Sequence, residues 1–179
     1  MFGLFSNTRN ERVAYQLYSA AVAAARTPWL YEELGVPDTL DGRFDLIGLH
    51  TFLVIRRLQR AGKGGRTLAQ AVFDAMFGDM EHNLREMGVS DAGVAKRNKA
   101  MWEALHGRAA VYQPLLDAAD RAGLADALAR NVWRDETPPV DAADRLAAHT
   151  LAIDRLLASQ PDAAVTGGKV VFDQNSVAA

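Results

Sequence analysis

The chain has 179 residues, a net charge of −2, 49% hydrophobic residues and 23% charged residues. That balance excludes a disordered chain and gives no overall pull towards nucleic acid or anionic lipid, so any such contact must be a local patch. The sequence holds no cysteine, which excludes disulfides, thiol chemistry and Cys-ligated zinc or iron–sulfur centres. The length suits one domain with a full core.

Met1 to Asn7 is short and apolar, with Phe2, Leu4 and Phe5. It reads as an end that docks on its own core, with a small foot on a membrane or partner as the alternative. No basic n-region leads into a signal-length apolar run, so a cytosolic protein is expected. From about Asn10, Val13, Leu17, Ala20 and Ala24 recur one turn apart, and Pro28 ends that helix. Trp29, Leu30 and Tyr31 precede a turn at Gly35, Pro37 and Asp38.

The organising element follows. Leu46 to Ile55 is a run of ten residues without a formal charge, seven of them Leu, Ile, Val or Phe, spread around every side of a helix. A helix apolar all round is a buried core helix or a membrane span, and a span needs roughly 20 apolar residues. The central helix is therefore expected over about 43–60, with the others packed around it. His50 within it reads as a buried neutral histidine donating to a backbone carbonyl. Ala61 to Arg66, AGKGGR, reads as a flexible basic connector, because it lacks the preceding strand and the GK[ST] ending of a phosphate loop.

Thr67 is the expected N-cap of the next helix, whose Leu68, Val72, Met76, Met80 and Leu84 form one apolar stripe widened by Phe73 and Phe77. Gly88 suits a left-handed C-terminal cap, and Ser90 an N-cap for a helix that turns Val94, Asn98, Met101 and Leu105 inward. Pro114 should interrupt or restart it. A further helix spans roughly Arg121 to Trp133, Thr137-Pro138-Pro139 is a stop, and Asp141 to Ala158 is the last helix, with Leu146, Ile153 and Leu157 inward. His149 reads as a lone surface histidine. The expectation is an all-α, single compact multi-helix domain over residues 1–160, with 161–179 a poorly ordered tail.

No nucleotide-binding or common hydrolase motif is present. One pattern resembles a metal site: Glu103-x-x-His106 and Asp79-x-x-His82 each put two ligand types on one helix face, as ferritin-like di-iron proteins do. The central helix carries no Glu to complete such a site, so a di-iron enzyme stays an alternative and no cofactor or metal is assigned. Two binding features remain. Four of the five methionines fall between Met76 and Met101, beside Phe73, Phe77 and Trp102, and flexible, polarizable Met surfaces suit partners of varied shape. Arg56 and Arg57, with Arg60, Lys63 and Arg66, form one basic cluster, which the dipole of a helix end already favours; Lys96, Arg97 and Lys99 form another near a helix start, where the dipole disfavours cations. The expected partner-binding set is Met76, Phe77, Met80 and Met101 with Lys96, Arg97 and Lys99, and Arg56 and Arg57.

LGVPDTLDGRFDLIGLHTFLVIRRL (34–58), AQAVFDAMFGDMEHNLREMGVSDAGVAKRNKAM (69–101) and HGRAAVY (106–112) resemble the ubiquinol–cytochrome c chaperone family, over roughly Tyr15 to Tyr112. The C-terminal half beyond Tyr112 carries no diagnostic match, and Asn98 stands where relatives often have a basic or β-branched residue. The resemblance implies an all-helical, non-enzymatic factor that binds newly made cytochrome b and promotes assembly of the quinol–cytochrome c reductase, complex III. It implies no catalytic residues. In mitochondrial relatives it also implies association with the ribosome near the exit tunnel and with a small helical partner. Self-association and a membrane-surface adaptor role are the remaining alternatives.

Overall fold

A computed structural model describes residues 2–134 and 136–172, with side chains from Thr8 onward. Among these residues it is all-α. The helices are α1 (Phe2–Ala25), α2 (Pro28–Glu32), α3 (Leu40–Gln59), α4 (Gly62–Glu86), α5 (Asp91–Asp117), α6 (Arg121–Leu128), α7 (Ala142–Ser159) and α8 (Asp162–Thr166), with a π-helical turn at Ala129–Trp133. The side chains of Phe2, Leu4 and Phe5 lie outside the described residues, so the expected foot stays an expectation. No helix among the described residues is long and apolar enough to cross a membrane.

The apolar run at Leu46–Ile55 becomes the axis of the fold. Leu46, Leu53, Val54 and Leu58 are fully buried, and α3 packs against α1, α4 and α7. Its start is set by Thr39, whose hydroxyl accepts from the Gly42 amide at 3.1 Å. Only glycine fits at 42, because a Cβ there would lie 2.0 Å from the Pro37 carbonyl oxygen. The stripe Leu68, Val72, Met76, Met80 and Leu84 of α4 is buried as its spacing requires. Ser90 caps α5 by accepting from the Gly93 amide at 3.3 Å.

Several local expectations give way to tertiary contacts. AGKGGR is not a connector: α4 starts at Gly62, directly after α3. The corner is possible because Gly65 lets α4 approach α3, a Cβ at 65 falling 2.2 Å from the Leu58 carbonyl oxygen. Thr67 consequently sits inside the helix, donating to the Lys63 carbonyl at 3.3 Å instead of capping. Pro114 does not interrupt α5, since it falls in the last turn, where one lost amide bond matters little, and its own carbonyl accepts from Ala118. Of the expected tail, residues 161–172 pack back on the core: Val165 is fully buried and the Val171 backbone pairs with the Gln160 side chain at 2.9 Å in both directions. Residues 173–179 lie outside the described part.

Arg57 explains that docking, and the burial of Arg56 and Arg57 corrects their assignment to a partner surface. Arg56 is 2% exposed and its guanidinium bridges Asp154 of α7 and Asp117 of α5, each at 2.8 Å. Arg57 is 6% exposed; it donates to the carbonyls of Leu157 at 2.8 Å and Gln160 at 2.6 Å and pairs with Asp162 at 2.5 Å. It thereby caps the C-terminus of α7, where a cation is favoured, and holds the start of α8. Both guanidinium groups are occupied within the fold.

A second buried network fixes α5 over α3. Asp45 of α3, whose side chain is 1% exposed, is bound by Arg108 of α5 and by Arg134, the latter at 3.0 Å. Burial pushes its carboxyl up, and the two guanidinium groups pull against that. Arg134 leaves the π-helical turn with φ +53°, a left-handed conformation, and also reaches Asp41 at 2.8 Å. Leu105 closes the same seam against Gly48, where a Cβ would lie 3.3 Å from the leucine methyl.

Candidate functional site

α5 crosses the α3–α4 pair with a cleft at each end of the pair. The first cleft, about 740 Å³, opens beside the N-terminal turns of α3 (Leu40 to Ile47), the C-terminal turns of α4 (Asp79 to Met87) and the first half of α5 (Arg97 to Met101). Its apolar wall is Leu40, Phe44, Ile47, Met80, Met87 and Met101. Leu40 at 44% and Met87 at 60% exposure hold large apolar side chains in water, an arrangement that costs free energy unless something covers them. Met80 forms the sealed floor and Met101 is half-buried. The rim carries both signs. Arg43 pairs with Asp38 at 2.6 Å and Asp79 accepts from Tyr18 at 2.7 Å, whereas Arg97 has no ion-pair partner among the described residues.

Of the expected binding residues, the structure brings Met80, Met101 and Arg97 into this cleft. Met76 is fully buried in the core, and Phe77 packs on Phe73 with ring centroids 4.7 Å apart, so neither lines it. Lys96 and Lys99 are exposed on the same stretch of α5, Lys99 within 3.9 Å of Glu103. Leu40, Phe44, Ile47 and Met87 line the wall without having been singled out from the sequence. Met87 was detectable as the methionine between the Met80 stripe and Gly88. Leu40, Phe44 and Ile47 look like ordinary core residues until the fold leaves that end of α3 uncovered.

The metal-like pairs do not converge. Asp79 is bonded to Tyr18, and His82 lies 3.2 Å from Glu86. Glu103 faces Lys99, and His106 stacks on Trp102 at 3.9 Å while its Nδ1 lies 2.9 Å from the Trp102 carbonyl. No group of three or more His, Asp or Glu side chains among the described residues could hold a metal ion.

The remaining histidines sit in the core. His50 meets the Leu46 carbonyl at 2.8 Å through Nδ1, as a buried neutral imidazole would, and burial lowers its pKa to about 4. His149 is a correction: it is 2% exposed instead of on the surface, edge-on to Trp29 at 4.8 Å and 6.0 Å from His50. Burial, with His50 adding to it, lowers its pKa to about 3. The apolar positions that surround it along α7 show one face, while its own burial comes from α2 and α3, which sequence periodicity does not report.

Fold and site thus define an all-helical protein with an apolar, methionine-lined cleft. The sequence profile of the ubiquinol-cytochrome C chaperone family matches residues 32–172, and the chain belongs to that family. The match extends through α6, α7 and α8, beyond the segment in which the sequence resemblance was visible. The chain is 25% identical over 119 residues to ubiquinol-cytochrome-c reductase complex assembly factor 1 of Xenopus laevis, covering 66% of this chain and 59% of that protein. The crystal structure of the Cbp3 homolog from Brucella abortus superposes with a TM-score of 0.82 at 35% identity, covering 93% of this chain and 92% of that one.

Proposed function

We propose that this protein is a non-enzymatic assembly chaperone that binds newly made cytochrome b and promotes assembly of the quinol–cytochrome c reductase. The observation that carries the reading is the cleft of Leu40, Phe44, Met80, Met87 and Met101 in a member of this family. Cytochrome b is a chain of apolar spans whose surfaces invite aggregation before insertion. The wall of α4 from Asp79 to Met87 is about 12 Å long at 1.5 Å per residue, enough for roughly two turns of an apolar client helix. Methionine side chains can re-pack around successive client sequences, which permits reversible capture without a fixed shape.

Arg97, with Lys96 and Lys99 beside it, supplies a basic rim for an anionic surface next to the client, such as ribosomal RNA or the inner membrane. Charge reversal at all three should reduce ribosome or membrane association in fractionation and cross-linking, and unchanged fractionation would remove the rim from the mechanism. Deletion of the protein should lower cytochrome b and complex III while leaving the cytochrome b message unaffected. An unaltered complex III level would defeat the chaperone reading.

A further inference from the structure

The second cleft, about 750 Å³, lies at the other end of the α3–α4 pair and has a different chemical layout. Its arginine and its glutamines gather at one end. Gln59 ends α3, Arg66 and Gln70 belong to the first turns of α4, and Gln113 lies near the end of α5. The Arg60–Asp117 pair at 3.2 Å ties these helix ends together. At the opposite end are Phe73, Trp102 and His106, with Phe73 edge-on to His106 at 5.4 Å and Trp102 47% exposed. Arg66 is the one formally charged lining residue; no carboxylate lines the cleft, and no described residue pairs with Arg66. Lys63, exposed one turn earlier, adds positive charge at the same end.

The geometry points to a lipid site: an anionic phospholipid whose acyl chain lies along the apolar wall of Phe52, Ile55, Ala69 and Leu105 towards the exposed face of Trp102, and whose phosphate meets Arg66 at the other end. The volume falls within the about 300–1,000 Å³ typical of small-ligand sites. A cation at one end and an apolar wall at the other match the two parts of such a lipid, and basic side chains draw anionic headgroups. This assignment concerns the opposite cleft from the proposed client site and stands independently of it.

Brominated acyl chains quench tryptophan on contact, and of the three tryptophans Trp102 is the exposed one, Trp133 being 1% exposed and Trp29 half-buried. The full chain, mixed with vesicles of phosphatidylcholine and acyl-brominated phosphatidylglycerol, should lose Trp102 emission. That quenching should vanish in Trp102→Phe. It should weaken about tenfold in apparent affinity in Arg66→Glu. Ala110→Glu, an exposed position that puts a carboxylate into the cleft without touching the core, should abolish it. Equal quenching by brominated phosphatidylcholine alone, persistence in Ala110→Glu, or vesicle co-sedimentation without quenching would overturn the site. So would displacement of the lipid by an apolar helical peptide at lower concentration than by free phosphatidylglycerol.

Discussion

Lowering the pH from 7 to 5 should destabilise this protein through its buried histidine pair. His50 and His149 titrate in the folded chain near about 4 and about 3, against an ordinary value of 6.5. The unfolded chain therefore binds protons first as the pH falls, so stability declines from about pH 6.5 and levels off only below the folded values. At pH 5 each histidine is 1.5 units below its unfolded value, and at about 1.4 kcal/mol per unit each costs about 2 kcal/mol. The pair together removes about 4 kcal/mol, a large part of the about 5–15 kcal/mol of a typical domain. Urea denaturation at both pH values measures this directly. His149→Phe keeps an aromatic edge against Trp29 and leaves only His50 to titrate, so its loss over the same interval should be about half that of the parent. Identical pH dependence in parent and variant would refute the burial argument for His149.

Other perturbations test the packing. Asp45→Ala leaves the guanidinium of Arg108, 15% exposed, without its carboxylate, and should cost about 3 kcal/mol in denaturant unfolding. Arg134 is 41% exposed and contributes little to that figure, because water can solvate it. Gly65→Ala should be severely destabilising in thermal unfolding, since its Cβ would meet the Leu58 backbone at 2.2 Å. Gly64→Ala, one residue away and open to solvent, should stabilise by up to about 1 kcal/mol through helix propensity. Met87→Glu should change stability by no more than about 0.5 kcal/mol, because the side chain is 60% exposed, while lowering recovery of cytochrome b with the protein.

The parts legible in the sequence are those decided within one helix. The uncharged run at Leu46–Ile55 announced the core helix, and four-residue spacing announced the buried stripe of α4. Ser90 and Gly88 marked the α4–α5 turn, Gly88 with φ +78°. Part of the candidate cleft's lining was legible for the same reason: Met80, Met101 and Arg97 stood out as a pliable and basic combination on neighbouring helices. The remainder depends on partners distant along the chain. Arg56 looked like a solvated helix-end cation until Asp154, 98 residues later, met it in the core. Arg57 needed Leu157 and Gln160, and His149 needed Trp29 and His50. Local periodicity identifies the face of a helix and is silent on which distant element covers it. The same blindness made residues 161–172 look like a free tail and AGKGGR look like a loop.

A photo-activatable cross-linker placed singly at Met87, Met101 or Tyr15 in cells making cytochrome b tests the chaperone cleft most directly. Tyr15 is 60% exposed on α1 and does not line the cleft, so it reports non-specific contact. Cross-links to newly made cytochrome b from positions 87 and 101, with none from 15, are the expected result. Cross-links from position 15 with none from 87 or 101 would place the client elsewhere and contradict the cleft as its docking site.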